Sequence, residues 1–227
     1  MARMFFTQEL QKLQDELLLM GSHVIQAIRE AVAALQQGDL EAARRLIAGD
    51  REINRQKYHI EERCLTLIAT QQPMARDLRL LAAILEISTE LERMGDYAKG
   101  ISKIVLFLNG RPTLEVRPEF QEMCEKVLEM LQRALDAFVG QDLEAAQTIP
   151  QDDDEVDACY NRLNRWLIDT ILAHPERIDQ ANYLSWAAHN LERAGDRVTN
   201  ICERTIYTLT GEFVEFDAEE PAFNGRS

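Results

Sequence analysis

The sequence predicts an all-α protein of six long helices, on three observations. Long segments rich in Leu, Ala, Glu, Gln and Arg, which are strong helix formers, separate the few glycines (10) and prolines (6) of this 227-residue chain. No segment alternates convincingly with the two-residue period of a strand, except a short stretch at residues 213–216. Motifs recur at intervals of 100 and 103 residues. The expected architecture is therefore a pair of repeated three-helix bundles.

Turn-forming residues set the limits of each helix. Thr7 is the expected N-cap of the first helix, and Gly38 ends it. Two prolines within residues 111–118 indicate a linker between the halves. The predicted helices span about residues 8–36, 40–70, 75–108, 119–139, 143–173 and 180–210. This divides the chain into a first bundle at residues 1–110 and a second bundle at 111–227, which ends in a short acidic tail.

Two pairs of motifs indicate that the second half repeats the first. Asp-Leu-Glu-Ala-Ala occupies residues 39–43 and again 142–146, and Leu-Glu-Arg-x-Gly-Asp occupies residues 91–96 and again 191–196. The two offsets differ by three residues, which the turn before the last helix of each half can absorb, because length changes cost little in loops. The two halves are therefore expected to be related by a pseudo-twofold axis.

The third helix of each half places two carboxylates beside an apolar stripe. The stripe of the first half, with the spacing of a bundle core, comprises Ile84, Ile87, Leu91, Met94, Ala98, Ile101, Val105 and Leu108. Glu92 and Asp96 share one face at its edge, and Glu192 and Asp196 repeat them. Like charges at this spacing destabilise a helix by roughly a few tenths of a kcal/mol, and the intervening glycine costs about 1 kcal/mol relative to alanine. Because both of these costs in helix stability recur in the two halves, this face of the helix is expected to have a role that compensates for them.

The second helix of each half adds a further pair of oxygen ligands. Asp50 and Asn54 are four residues apart, and their counterparts 103 residues later are Asp153 and Asp157. If the second and third helices of a half pack antiparallel, four oxygen ligands converge in each half. This donor set suits magnesium, manganese or iron, and zinc also accepts carboxylates. The alternative is a solvated helix face neutralised by weak ion pairs with neighbouring Arg93, Lys99, Arg193 and Arg197.

Charge and composition exclude several classes of protein. The chain has 39 acidic and 25 basic residues and a formal net charge of -14, so it repels nucleic acid and anionic lipid headgroups. No run approaches the roughly 18 consecutive apolar residues of a transmembrane helix, and no secretory signal is recognisable. The four cysteines form no Cys-x-x-Cys pair, which is typical of a reducing compartment. A cytoplasmic protein is expected.

The remaining motifs favour binding over catalysis. No Glu-x-x-His, nucleophile motif or phosphate-binding glycine loop occurs, so the sequence gives no support for an enzyme. His189 stands three residues before Glu192 and either faces the same site or is structural. Arg76, Asp77 and Arg79 mark the start of the third helix, and residues 178–181 lack both arginines at the equivalent place. This asymmetry marks a candidate partner-binding surface.

In its repeated motifs, the sequence resembles the PhoU family, whose members are accessory and regulatory proteins of bacterial phosphate-specific transport. The resemblance covers residues 6–211. It lies in the segments 38–39 and 49–54, in Pro73 with Asp77-Leu78-Arg79, and in both copies of Leu-Glu-Arg-x-Gly-Asp. It implies two three-helix bundles in one chain, in agreement with the internal repeat.

The resemblance also implies metal sites, because some family members carry multinuclear iron or zinc clusters on paired Glu/Asp-x-x-x-Asp motifs. The motif transfers to Glu92 with Asp96, Asp153 with Asp157, and Glu192 with Asp196. Asp50 with Asn54 departs from it, because Asn54 is neutral, and this weakens the expectation for the first half. Iron or zinc comes first among the expected metals, with manganese and magnesium left open.

The function implied by the resemblance is negative regulation of phosphate uptake and of the phosphate-starvation response. A homodimeric adaptor would contact the ATPase subunit of the phosphate transporter and a sensor histidine kinase, and would meet the membrane only through these partners. Two alternatives stay open from the residues themselves. One is a carboxylate-bridged metalloprotein or oxidoreductase, and the other is a helical scaffold without metal.

Overall fold

A computed structural model describes residues 2–110 and 114–216, and this part of the chain is almost entirely helical and contains no strand. Its α-helices are α1 (Ala2–Gln37), α2 (Leu40–Gln71), α3 (Arg76–Phe107), α4 (Glu119–Gly140), α5 (Leu143–Thr148), α6 (Asp153–Ala173) and α7 (Ile178–Thr210). The all-α prediction is confirmed. The stretch at 213–216 is neither helix nor strand. The predicted acidic tail after residue 216 and residues 111–113 of the linker lie outside the described residues, so the division at residue 110 stays a prediction.

The helix predicted at residues 143–173 is interrupted, so this prediction was wrong. Pro150 has no N–H to donate to the helical ladder. The chain leaves α5 after six residues, passes through a 3₁₀ turn at Ile149–Asp152 and resumes as α6. The fifth predicted helix is therefore two helices, and α6 begins with Asp153, one of the candidate ligands.

Helix α1 begins at the second residue, earlier than predicted, so the expected N-cap threonine lies inside it. Its segment Met4–Gln37 is long and apolar enough to cross a membrane by length and composition, with a mean hydropathy of 1.2 over 18 residues. No such segment was expected from the sequence, because no run of consecutive apolar residues approaches the roughly 18 of a transmembrane helix. In the structure, Leu13, Leu17 and Met20 of α1 are fully buried in the protein core, and the core helix of a soluble protein passes the same test.

The repeated Asp-Leu-Glu-Ala-Ala motif caps a helix in each half. Asp39 Oδ1 accepts hydrogen bonds from the backbone N–H groups of Glu41 (3.0 Å) and Ala42 (2.9 Å) at the start of α2. Asp142 Oδ1 accepts one from Ala145 (3.0 Å) at the start of α5. Each aspartate satisfies amide groups that have no partner within the first helical turn. The motif therefore fixes where α2 and α5 begin.

One apolar core runs through both halves. Helices α1, α2 and α3 pack on one another in the first half, and α4, α6 and α7 do so in the second. Packing of α3 on α7 and of α1 on α4 joins the halves. The whole predicted apolar stripe of the third helix is buried, from Ile84 to Leu108. The halves therefore meet along the same long helices that carry the candidate ligands.

Contacts along the α3–α7 seam show the expected twofold relation. Asn200 Nδ2 lies 3.3 Å from Glu90 Oε2. At the other end, the Asn190 side chain packs over Gly100, with its Oδ1 3.1 Å from the place of a Cβ. Residues 90 and 190 are equivalent in the repeat, as are residues 100 and 200, so the twofold axis exchanges the two contacts.

Candidate metal-binding quartets

The predicted ligands lie at two equivalent places, between the second and third helices of each half. The first-half quartet is Asp50 and Asn54 on α2 with Glu92 and Asp96 on α3. The second-half quartet is Asp153 and Asp157 on α6 with Glu192 and Asp196 on α7. The helix pairs α2–α3 and α6–α7 are packed together. Their packing brings each pair of motifs to the same region.

In the first-half quartet, a lysine joins the two helices. Lys99 Nζ of α3 donates to Asp50 Oδ2 of α2 at 2.6 Å and to Asp96 Oδ1 at 3.3 Å. Asn54 Nδ2 donates to the same oxygen of Asp50 at 3.1 Å. Asp50 is only 6% exposed, so this contact differs from the weak surface ion pair that the sequence suggested for Lys99. The ammonium group lies between carboxylates that were expected to ligate a metal ion.

Glu92 completes the first-half quartet from a half-buried position. Burial is the main cause that raises the pKa of its carboxyl, and the Asp96 and Asp50 charges raise it further. The ammonium group of Lys57 on α2 acts in the opposite direction and lowers the pKa of Glu92. Three carboxylates thus share this region with two lysine side chains.

The second-half quartet has a different electrostatic setting. Burial raises the pKa of Glu192 most, the Asp196 and Asp157 charges raise it further, and His189 lowers it. His189 Nδ1 stands 3.0 Å from Glu192 Oε2, so His189 faces this site. The oxygen Oε2 is buried beside this ring nitrogen. The structure thus places His189 beside the predicted ligands.

The repeated glycine of Leu-Glu-Arg-x-Gly-Asp allows α2 and α6 to come close to the site. A Cβ on Gly195 would collide with Oδ1 of Asp153 and would lie 3.6 Å from Val156 Cγ1. A Cβ on Gly95 would lie 3.0 Å from Cδ1 of Ile53. The glycine gives room to a carboxylate in the second half and to an apolar side chain in the first.

The two quartets differ in how well they suit a metal ion. Within the described ranges, no three His, Cys, Asp or Glu side chains are gathered where they could hold a metal ion. The second-half quartet nevertheless has a suitable donor set, because it combines four carboxylates, and one of them, Glu192, has a buried oxygen beside His189. The first-half quartet does not fit, because an amide replaces one carboxylate and the ammonium of Lys99 already contacts Asp50 and Asp96.

The candidate partner-binding residues lie at the start of α3. The exposed Arg76 donates through Nη2 to Gln141 Oε1, at the turn that ends α4. The guanidinium of Arg79 packs beside Gly211, which ends α7, with Cζ 3.6 Å from the place of a Cβ. Asp77 stands in the first turn of α3, where a negative charge is favourable. Both arginines thus contact the second half.

A comparison with known protein families identifies the family to which the chain belongs. The PhoU domain matches it twice, at residues 17–105 and 120–205. The chain belongs to the PhoU family. The two matches coincide with the two halves of the internal repeat, and each contains one complete quartet.

Relatives in the PhoU family match the chain over nearly its full length. A phosphate-specific transport system accessory protein PhoU homolog of Clostridium acetobutylicum is 36% identical over 218 residues, which cover 96% of this chain and 100% of the relative. The PhoU accessory protein of Escherichia coli (strain K12) is 32% identical over 207 residues, 91% of this chain and 86% of its own length.

Solved PhoU structures confirm the fold. The PhoU regulatory protein from Streptococcus pneumoniae superposes with a TM-score of 0.87 at 33% identity, over 92% of this chain and 99% of the other. PhoU from Pseudomonas aeruginosa gives a TM-score of 0.85 at 33% identity, over 91% and 100% of the two chains. The prediction of two PhoU-like three-helix bundles is thereby confirmed.

Proposed function

We propose that this protein is an accessory protein of phosphate-specific transport that restrains phosphate uptake and the phosphate-starvation response while phosphate is plentiful. Membership of the PhoU family over nearly the whole chain is the observation that carries this proposal. Relatives from Clostridium acetobutylicum and Escherichia coli bear the name of accessory proteins of that transport system.

The proposed mechanism is that of an adaptor, which works by binding two partners and performs no chemistry. The partners are the ATPase subunit of the transporter and a sensor histidine kinase, and they hold the protein at the cytoplasmic face of the membrane. A net charge of -14 favours basic partner surfaces, because complementary charge raises association rates and suppresses wrong partners. The turn at Arg76, Asp77 and Arg79 is the proposed contact for one partner, since its exposed Arg76 has no counterpart in the second half.

Metal binding is a proposed structural aid to this adaptor. Asp153, Asp157, Glu192 and Asp196 would hold an iron or zinc ion, or a small cluster of them, between α6 and α7. A bound metal ion supplies positive charge that bridges carboxylates of two helices. Burial and neighbouring carboxylates already disfavour the ionised form of Glu192, so a bound cation would relieve that repulsion.

The adaptor is tested by capture of its partners from cells. The tagged protein is cross-linked in phosphate-replete cells, solubilised with detergent and analysed by mass spectrometry. Transporter ATPase and histidine kinase peptides, enriched at least about tenfold over the untagged strain, are expected. Recovery of neither protein contradicts the adaptor.

Matched variants then locate the contact. Arg76→Ala is expected to reduce recovery of one partner while the other is retained. Arg44→Ala, which removes another exposed arginine from a helix of the first half, is the control and should leave both unchanged. Equal recovery with Arg76→Ala and Arg44→Ala would exclude the turn at Arg76 as the contact.

A further inference from the structure

The two quartets occupy equivalent places in the repeat but have different cationic neighbours. Beside the first quartet stand Lys57 on α2 and Lys99 on α3. Their counterparts, 103 and 100 residues later, are Tyr160 and Thr199. Neither a tyrosine nor a threonine carries a positive charge at neutral pH. The first half has therefore exchanged one carboxylate for an amide and also holds two ammonium groups that the second half lacks at these positions.

Lys99 contacts the ligands themselves. Its Nζ reaches Asp50 Oδ2 across the helix pair at 2.6 Å and Asp96 Oδ1 on its own helix at 3.3 Å. The Asn54 amide donates to the same Asp50 oxygen, so this atom already accepts two hydrogen bonds. A divalent cation bound between these carboxylates would lie within a few ångströms of the ammonium group, where two like charges repel strongly.

The burial of Asp50 makes this contact more than a surface ion pair. Asp50 is 6% exposed, and the Lys99 side chain is 27% exposed. A buried negative charge without a close positive partner is costly, so the contact with Lys99 stabilises the fold.

We infer that Lys99 is the resident cation of the first-half quartet, so that α2 and α3 close on each other without a metal ion. The rest of this inference depends on the proposed function, in which the second half holds a metal ion. The repulsion between the carboxylates is then offset by Lys99 in the first half and by the metal ion in the second. The chain then binds metal in one half only.

The first test compares thermal unfolding in the presence of a chelator. Lys99→Thr gives the first half the residue type of the equivalent position 199. Its matched control is Lys103→Thr, an exposed lysine one turn further along α3 with the same change in helix propensity. Lys99→Thr is expected to lower the unfolding temperature by about 4–8 °C more than Lys103→Thr, because it leaves the Asp50 carboxylate buried without its cation. Equal unfolding temperatures overturn the inference.

The second test measures Mn²⁺ binding by the free-ion signal in electron paramagnetic resonance. Asp157→Asn with Asp196→Asn disables the second-half quartet, and this background is expected to bind no Mn²⁺ at micromolar concentration. Adding Lys99→Thr and Asn54→Asp restores a four-carboxylate set in the first half, and one Mn²⁺ per chain is expected. Binding in the background with Lys99 in place, or no gain in the four-fold variant, overturns the inference.

The two tests separate this inference from the proposed metal site. If the parent protein binds no Mn²⁺, iron or zinc, the proposed metal role of the second half fails. The comparison of Lys99→Thr with Lys103→Thr needs no metal, and it decides the role of Lys99 in either case.

Discussion

The carboxylate of Asp153 lies directly against Gly195, in the space that the Cβ of any other residue would occupy. In the first half, the equivalent Gly95 faces the side chain of Ile53. The same glycine thus accommodates a polar group in one half and a stiff β-branched side chain in the other.

Substitution of the two glycines is expected to give different results. Gly95→Ala gains about 1 kcal/mol of helix propensity, but its Cβ meets Ile53 Cδ1 at 3.0 Å and Cγ2 at 3.2 Å. Overpacking of this kind costs about 1–3 kcal/mol, so a net loss of about 1 kcal/mol is expected. Gly195→Ala is expected to lose less stability than Gly95→Ala, because its Cβ meets one terminal oxygen of Asp153, whereas the Cβ at Gly95 meets two atoms of the branched Ile53 side chain. Urea unfolding of metal-free protein measures both, and a larger loss for Gly195→Ala would contradict this account.

Glu90 and Glu86 both form ion pairs across the α3–α7 seam, but its burial makes Glu90 the more important of the two for stability. The Glu90 side chain is 12% exposed, and it accepts from Arg93 (2.6 Å) and, across the seam, from Arg197 (3.3 Å). Glu90→Gln is expected to lower the free energy of unfolding by about 2 kcal/mol, since it leaves Arg197 partly buried without its counter-charge. Glu86→Gln is the control, because Glu86 pairs with Arg204 at 52% exposure and should change stability by less than about 0.5 kcal/mol. Equal effects in urea unfolding would show that the seam charges are solvated.

The repeated helix caps are expected to contribute about equally in the two halves. Asp39→Ala and Asp142→Ala each remove a side-chain acceptor from the first turn of a helix. Each should lower the free energy of unfolding by about 1 kcal/mol. Asp39→Asn and Asp142→Asn retain a capping oxygen and should retain most of the stability. Circular dichroism during urea unfolding measures the stability of all four variants. Equal losses of stability in the Ala and Asn variants would argue against capping as the cause.

The buried thiols are expected to be unreactive in the folded protein. Burial raises the pKa of Cys64, Cys124 and Cys202 to about 12. Below that pH each thiol keeps its proton, so at pH 8 only about one molecule in ten thousand carries the reactive thiolate. Ellman's reagent at pH 8 should therefore label these three cysteines only after denaturation. Rapid labelling of native protein would mean that these helices open frequently.

Local signals predicted the architecture well. The spacing of apolar residues located the core stripe of α3, and the repeated motifs predicted equivalent halves. The interruption at Pro150 could have been predicted from the sequence, because a proline inside a helix lacks the N–H that the helical hydrogen bond requires. The early start of α1 was not, because its apolar residues are held by distant helices.

The ion pair of Lys99 with Asp50 shows why the site was only partly predictable. The residues are 49 positions apart and come together only because α2 packs on α3. In the sequence, Lys99 is one of several basic residues close to the repeated carboxylates, which predicts only weak surface ion pairs. Its reach to a buried carboxylate on another helix depends on tertiary packing, which spacing along the chain does not encode.

The unbroken core through α3 and α7 has a consequence for cooperativity. Each of these helices packs on its own bundle and on the other, so neither half can unfold without exposing apolar surface of its neighbour. The duplicated sequence is thus a single thermodynamic unit, whose calorimetric and van't Hoff enthalpies of unfolding should agree. An event that loosens one half is felt in the other as a loss of stability, and this would give the proposed adaptor a means of passing a signal between its ends.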